Sequence, residues 1–281
     1  MTSRDPFAAS VKIAQAARSP MERAASALDP VRYNIFCATY ASMRQIDDFV
    51  DDEFLAGSRD DPEGASAVVD LWEAHAVAAV SEGAPPPKDV QFFDTLEGLS
   101  AVAGVADLDC GPWRRLAGAM RRDIAGAAMP DWASFLDYAE GATAAPAAVF
   151  IEILALRPTD AGRLVSAVEG PTVERIRNAA VLLYLVHIMR DLPEDATRGL
   201  LTLPGTFFND LGVDEATFAK AEPAMVAKGR AVIAEYAGRF LAPALGELAS
   251  LDTVLSSDES AILQGLCTPY IERYEAFQDS L

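Results

Sequence analysis

Apolar residues recur at intervals of three and four positions along most of the chain, and alternating apolar and polar residues are scarce. Segments rich in Gly, Pro and Asp interrupt this pattern, for example at 57–64, 81–89 and 203–212. The stretches between such segments have the lengths of helices and predict roughly eight to ten of them. No internal repeat or low-complexity linker divides the chain. The pattern therefore predicts an all-α fold, with one helical bundle over residues 1–281.

The composition is that of a protein with a large apolar core, since 51% of the 281 residues are hydrophobic. The longest apolar runs, 179–189 and 145–150, are too short to span a bilayer, and the N-terminal stretch lacks the core of a signal peptide. Cys37, Cys110 and Cys267 form no CxxC pattern, which argues against a disulfide framework or a zinc site. We therefore expect a soluble, cytoplasmic protein.

The charge balance narrows the range of partners. Asp and Glu number 42 against 23 Lys and Arg, which gives a formal net charge of -19. Such a surface repels a phosphate backbone, so we expect no nucleic acid partner, and it suits an anionic membrane face poorly. The sequence contains neither a glycine-rich dinucleotide fingerprint after a strand nor a P-loop, so no motif supports a nucleotide cofactor such as NADPH.

A first acidic motif, IDDFVDD, occupies residues 46–52. On a helix, Asp47 and Asp51 share a face, and Asp48 and Asp52 form a second pair rotated by one residue. Like charges at this spacing destabilise a helix by a few tenths of a kcal/mol, so the cluster calls for a neutralising partner. The face of the first pair carries, in order, Tyr40, Arg44, Asp47 and Asp51.

A second acidic pair, Asp191 and Asp195, follows an almost wholly apolar segment within residues 181–204. Pro193 lies between the two aspartates, and proline inside a helix removes a hydrogen bond. We therefore expect the helix to end near residues 190–192 and Asp195 to lie on a following turn.

Two such pairs on apolar helices would face each other across the interior of a bundle. Carboxylates are hard oxygen ligands that suit Mg²⁺, which usually takes one or two of them together with phosphate oxygens and water. A diphosphate bridged by Mg²⁺ would neutralise the cluster and become a better leaving group. A single acidic pair is weak evidence for a metal site, because solvated acidic faces of helices are common. The alternative is a helical protein with acidic patches on its surface.

The two motifs match a known family. YASMRQIDDFVDD (40–52) resembles the first aspartate-rich motif of the squalene/phytoene synthases, and IMRDLPEDATRGLLTLP (188–204) resembles their second. Weaker similarities lie at 17–30, at MRRDIAG (120–126) and at FLDYAEGATAAPAAVF (135–150). The segments follow the family's order and spacing over most of the chain.

This resemblance implies an isoprenoid-synthase-type bundle around a central apolar cavity. It further implies that two prenyl diphosphates, farnesyl or geranylgeranyl, condense head to head to a squalene- or phytoene-type product with release of diphosphate. Roughly two or three Mg²⁺ ions would bridge the diphosphate to the acidic residues. The implied metal ligands are Asp47, Asp48, Asp51, Asp191 and Asp195. Arg44 and Arg190 would contact diphosphate, and Tyr40 and Tyr138 would line the reacting region. The insoluble product would favour peripheral membrane contact during release, and reduction by NADPH has no support from the sequence.

The sequence departs from the family pattern at two places. The Gln-x-x-Asn that precedes the second motif is replaced by Tyr184 and His187, and the helix break after Tyr138 contains Glu140 and Pro146. These departures leave two alternatives open. One is a different outcome in the same pocket, either cyclisation or hydrolysis of a single prenyl diphosphate or a reaction that stops at the cyclopropyl intermediate. The other is a non-catalytic lipid-binding or assembly relative, against which the intact aspartates count.

Two of the residues that differ from the family pattern, His187 and Tyr184, have two interpretations each. His187 lies four residues before Asp191, so it is either a base or an orienting partner in the site, or a core histidine bonded to a neighbouring helix. Tyr184 either stabilises a cation through its ring or belongs to the core. For Glu140 we expect an arginine partner.

Overall fold

The computed structural model describes residues 5–57 and 59–279, and helices dominate it. The first half contains α1 (Ala8–Ala17), α2 (Pro20–Ala25), α3 (Pro30–Asp48), a first π-helical segment (Phe49–Leu55), α4 (Pro62–Glu82), α5 (Phe93–Val102), β1 (Ala106–Asp107), α6 (Gly111–Ile124), α7 (Trp132–Ala139) and a second π-helical segment (Glu140–Ala144). The second half contains α8 (Ala145–Leu154), β2 (Leu156–Pro158), β3 (Leu164–Ser166), α9 (Thr172–Arg175), α10 (Arg177–Arg198), α11 (Gly205–Leu211), α12 (Glu215–Phe218), α13 (Pro223–Leu251) and α14 (Ser257–Asp279).

The all-α bundle is confirmed, although it is built from more pieces than the sequence predicted. The described residues form fourteen α-helices and two π-helical segments rather than eight to ten helices. Two of the additional helices, α9 and α12, are single turns of four residues, too short to produce a recognisable apolar period.

A small sheet was not predicted. Its strand order is β1-β3-β2, with β1 parallel and β2 antiparallel to β3. Ala106 lies opposite Leu164, and Leu156 lies opposite Ser166. Strands of two or three residues are too short for an alternating pattern to show in the sequence.

The helix that carries the first acidic motif is fixed at its start and along its length. Asp29 caps α3 by accepting from the backbone N–H of Val31 at 3.0 Å, and Pro30 occupies the first turn. Ser42, in the middle of α3, accepts hydrogen bonds at 3.1 Å from the indoles of Trp72 on α4 and Trp113 on α6. These buried contacts set the position of α3 against both neighbouring helices.

Both aspartates of the second motif lie on α10, so the expectation that this helix ends near residues 190–192, with Asp195 on a following turn, is wrong. Pro193 cannot donate to the carbonyl of Met189, but Arg230 of α13 donates to that oxygen from Nε at 2.8 Å. A donor from another helix thus replaces the missing bond. The helix ends at Gly199, whose φ of 68° is left-handed.

Two apolar clusters form the core. One surrounds α3, α4, α6 and α8, and the other lies between α10 and α13 with Phe207 and Phe218 packed edge to face. A central cavity opens between them. Within the described residues, no helix has both the length and the apolar character needed to cross a membrane.

Candidate active site

A cavity of about 1260 Å³ brings both acidic motifs to one place. Part of its wall is apolar and includes Phe150, Ile176 and Leu183, and the other part carries the charged groups. The wall is therefore of two kinds rather than uniformly apolar. Every site residue predicted from the sequence lines this cavity: Tyr40, Arg44, Asp47, Asp48, Asp51, Tyr138, Tyr184, His187, Arg190, Asp191 and Asp195.

The first motif spans a change in helix geometry. Asp47 belongs to the last turn of α3, whereas Asp51 belongs to the π-helical segment Phe49–Leu55, and both face the cavity. Single π-helical turns are frequent at functional sites. Arg44 forms its ion pair with Asp48, one turn further along the helix. Within the described residues, Asp47 and Asp51 have no ion pair of their own, although Arg44 is close enough to favour their charged forms.

Burial, and after it the charge of neighbouring carboxylates, disfavours the charged forms of Asp47 and Asp51. Burial raises the pKa of Asp47 to about 7, and the neighbouring Asp51 adds to the effect. Burial, followed by the charge of Asp52, also raises the pKa of Asp51. The arginine nearby offsets only part of this repulsion, so a bound cation would stabilise the site.

The second motif is held by its own helix. Arg190 donates from Nε to Oδ1 of Asp191 at 2.6 Å, and this hydrogen bond lowers the pKa of the carboxyl. His187 lies 3.1 Å from Oδ2 of Asp191 through Nε2, with 47% of its side chain exposed. His187 is thus a cavity-wall residue that contacts the acidic pair, and not a core histidine bonded to another helix. Burial, followed by the charges of Asp191 and Glu194, raises the pKa of Asp195.

Arg198 connects the two motifs. Its Nη2 lies 3.9 Å from Oδ1 of Asp52, and its Nη1 lies 3.8 Å from Oε1 of Glu194. The sequence did not lead us to predict these three residues as part of the site, although each lies within or beside a motif. These contacts show that the first π-helical segment and the end of α10 approach each other at the cavity wall.

The tyrosines of the site have different partners. Tyr138 donates its hydroxyl to Oδ2 of Asp123 at 2.9 Å. Tyr184 stacks on Phe135, with ring centroids 5.9 Å apart and planes 8° from parallel. Burial raises the pKa of Asp123 to about 7. Sequence reasoning did not place Asp123 in the site, and its only signal was the MRRDIAG segment.

The expected arginine partner of Glu140 is confirmed. Its carboxylate pairs with Arg115 at 3.2 Å and with Arg177 at 2.5 Å. Arg121 and Arg122 likewise pair with carboxylates of α4 and α7. These arginines therefore belong to the surface between helices rather than to the cavity.

Comparison with known proteins identifies the family of this chain. A family model described as squalene/phytoene synthase matches residues 15–276. The chain belongs to the squalene/phytoene synthase family. It is accordingly a prenyltransferase-type enzyme. No protein of curated function matches it significantly in sequence.

Two solved structures show the fold of this family member. A dehydrosqualene synthase, crystallised in complex with ligand, is 18% identical with a TM-score of 0.71, and the match covers 98% of this chain and 87% of the other. Squalene synthase HpnC from Alicyclobacillus acidocaldarius is 16% identical with a TM-score of 0.72, and the match covers 98% and 94%. The isoprenoid-synthase-type bundle is therefore confirmed.

The carboxylates of the cavity suit a metal ion that is coordinated jointly by the protein and by a bound ligand. In the described part of the chain, no group of three or more His, Cys, Asp or Glu side chains is placed to hold a metal ion by itself. Mg²⁺ usually takes one or two carboxylates and completes its shell with phosphate oxygens and water. Asp47 and Asp51 on one wall, with Asp191 and Asp195 on the other, fit that donor set.

Proposed function

We propose that this enzyme condenses two prenyl diphosphates head to head in a Mg²⁺-dependent reaction that releases diphosphate. The observation that carries the proposal is that both acidic motifs, one from α3 and its π-helical extension and one from α10, line a single cavity. The polar wall would bind the diphosphate groups, and the apolar wall would contact the prenyl chains.

The size of the cavity supports two substrates. Pockets for single drug-sized ligands usually measure roughly 300–1,000 Å³. This cavity measures about 1260 Å³. Its apolar residues, such as Phe150, Ile151 and Leu263, would keep water from a prenyl cation that would otherwise be quenched.

The charged wall supports binding of diphosphate. Mg²⁺, when bound, would neutralise the leaving diphosphate and lower the barrier to its departure. Asp47, Asp51, Asp191 and Asp195 would hold it. Arg44 and Arg190 lie beside these ligands, and their planar guanidinium groups suit phosphate oxygens. Each is paired with a carboxylate in the present structure, so it is held in place before a ligand arrives.

Substitution of one aspartate from each motif tests the assignment. Asp47→Asn and Asp191→Asn keep the side-chain shape and remove the charge, so each should lower the rate of diphosphate release by about 100-fold or more. Circular dichroism should show an unchanged helix content. Asp89→Asn, an exposed position outside the cavity, is the matched control. Wild-type release of diphosphate by both site variants would contradict the assignment.

A second candidate is cyclisation or hydrolysis of a single prenyl diphosphate. The observation in its favour is that Tyr184 and His187, which stand where the family has Gln and Asn, both line the cavity. A Tyr184→Gln, His187→Asn double variant would shift the product towards the two-substrate condensation if these residues redirect the chemistry. An unchanged product would remove the support for this candidate. Parallel assays with and without NADPH test for a reductive step.

A further inference from the structure

A second cavity lies beside the central one, between α2, α10 and α14. It measures about 790 Å³, which is within the range of roughly 300–1,000 Å³ that is usual for a pocket holding one small ligand. Among the described residues, none of the aspartates of the two acidic motifs lines it. The proposed condensation therefore leaves this space unused.

One face of α14 forms the longest wall of the second cavity. Its lining residues recur at intervals of three and four positions from Asp258 to Arg273. These ends are 273 − 258 = 15 residues apart, so at 1.5 Å per residue the wall is about 22 Å long. The middle of this face is apolar, with Ile262 and Leu266, and Val186 of α10 adds to it. The cavity is thus an elongated groove that suits an extended apolar chain.

The charged groups of the groove are mostly cationic, in a chain whose formal net charge is -19. Arg23 comes from α2, Arg190 from α10 and Arg273 from α14. Among the described residues of its wall, Asp258 is the one carboxylate, and it lies at the opposite end of the α14 face from Arg273. Guanidinium groups match phosphate oxygens in geometry and charge. An anionic head would therefore bind at the Arg273 end, with the apolar chain along the rest of the face.

Two of the three arginines are free to bind a ligand. Among the residues that the structure describes, neither Arg23 nor Arg273 forms an ion pair, and both side chains are exposed. Arg23 donates from Nη1 to the backbone oxygen of Arg18 at 2.7 Å, which leaves its other nitrogen atoms available. An anion that enters the groove thus displaces no carboxylate from these two guanidinium groups.

We propose that the second cavity binds an amphiphile with one linear apolar chain and a phosphate-type head, and that its occupation inhibits the enzyme. The head would bind to Arg273 and Arg23, and the chain would lie along the apolar face of α14. Prenyl phosphates and diphosphates have this chemistry, so excess substrate would act as an inhibitor at this site. The binding is independent of the proposed function, whereas the inhibition rests on it.

Arg190 connects the second cavity with the active site. It lines both cavities, as do His187, Leu266 and Tyr270. In the metal-free protein its guanidinium donates two hydrogen bonds to Asp191, which is one of the proposed metal ligands. A phosphate head in the second cavity would compete with Asp191, and with a diphosphate in the central cavity, for this guanidinium. Occupation of the groove should therefore lower the rate of the reaction.

Calorimetric titration with dodecyl phosphate, below its critical micelle concentration and with EDTA present, tests the site. The probe has the proposed head and chain, and EDTA removes any binding that requires Mg²⁺. The wild-type protein should bind one molecule. Arg23→Gln and Arg273→Gln should each weaken binding by about tenfold, since each removes a charged donor. Gly265→Trp should abolish binding, because an added Cβ at Gly265 meets no atom within 4 Å and the indole would fill the groove.

Matched controls separate the groove from the rest of the molecule. Arg175→Gln removes an exposed arginine that lines neither cavity, and Asp47→Asn changes the central cavity alone. Both variants should bind dodecyl phosphate as the wild type does. Dodecyl maltoside, which has the same chain and a neutral head, should not bind. Circular dichroism should show the helix content of the wild type in Gly265→Trp.

Initial rates test the inhibition. With rising concentrations of farnesyl diphosphate at saturating Mg²⁺, the rate of the wild type should pass through a maximum and fall. Arg273→Gln and Gly265→Trp should remove the fall and leave the rate at low substrate concentration nearly unchanged. Added dodecyl phosphate should inhibit the wild type and not Gly265→Trp.

The outcomes distinguish the groove from the proposed function. Wild-type binding of dodecyl phosphate by both Arg273→Gln and Gly265→Trp would overturn the site, and so would equal binding of dodecyl maltoside or loss of binding in Asp47→Asn. A wild-type enzyme without substrate inhibition, or inhibition that persists in variants that no longer bind the probe, would overturn the regulatory role. A wild-type enzyme without turnover would overturn the proposed function and the inhibition together, while the calorimetry would still decide the site.

Discussion

Two buried glutamates show how strongly local partners determine the behaviour of a carboxyl group in this protein. Glu259 accepts from Arg157 at 2.6 Å, and it also pairs with Arg32. Burial acts to raise its pKa, but the hydrogen bonds outweigh burial and lower the pKa to about 2. Among the residues that the structure describes, no arginine pairs with Glu152, and burial raises its pKa to about 7. The carboxylate of Glu259 joins α3, β2 and α14, whereas the carboxyl of Glu152 holds its proton to a higher pH than an ordinary glutamate does.

Replacing Glu259 by Gln should destabilise the protein. The variant leaves two arginines facing a neutral group, and breaking a buried pair in this way costs about 3–5 kcal/mol. Urea unfolding at neutral pH measures the loss, with the exposed Glu174→Gln as control. In the folded protein the pKa of Glu259 lies below its ordinary value of 4.5. The greater stability of the wild type should therefore be complete above pH 4.5 and disappear as the pH falls towards 2. Equal stability of wild type and variant at pH 7 would contradict this account.

Glu152→Gln should have the opposite effect. The folded state holds the proton of Glu152 more tightly than the unfolded chain does, so this contribution to stability is present below pH 4.5 and is lost as the pH rises through about 7. The variant should be more stable than wild type by about 1–3 kcal/mol at pH 8 and nearly equal to it at pH 4. A destabilised variant at pH 8 would show that the carboxylate has a stabilising partner there.

At the scale of elements, α10 shows why the sequence predicted the second motif but not its geometry. The aspartate spacing and the preceding apolar segment were sufficient to identify the motif. The proline rule failed because the compensating donor, Arg230, lies on α13 and is remote in sequence. Met189 is fully buried, so its carbonyl needs that donor.

A double-mutant cycle tests the role of Arg230. Arg230→Met leaves a buried carbonyl unsatisfied and should lower the free energy of unfolding by about 1–3 kcal/mol. In a Pro193→Ala background the restored N–H can donate to Met189, so the same substitution should cost less, with a coupling of about 0.5–2 kcal/mol. Lys228→Met, at an exposed position of the same helix, is the control. Additive effects of the two substitutions would contradict the replacement of one donor by the other.

For the whole molecule, the apolar periodicity and the paired acidic motifs predicted the bundle and the residues that line its cavity. The sheet was missed because its strands are too short to show a pattern. Asp123 was missed because a lone aspartate has no spacing to distinguish it, and only the fold brings it to Tyr138. The pairing of Arg44 with Asp48 also depended on rotamers that spacing does not specify.

The measurement that tests the central claim most directly is an incubation of the purified enzyme with farnesyl or geranylgeranyl diphosphate, with and without Mg²⁺, followed by mass spectrometry of the products. The account predicts a hydrocarbon with twice the carbon number of the substrate, two diphosphates released per product, and no turnover when Mg²⁺ is chelated. Products that contain a single prenyl unit, or turnover that is independent of Mg²⁺, would contradict it.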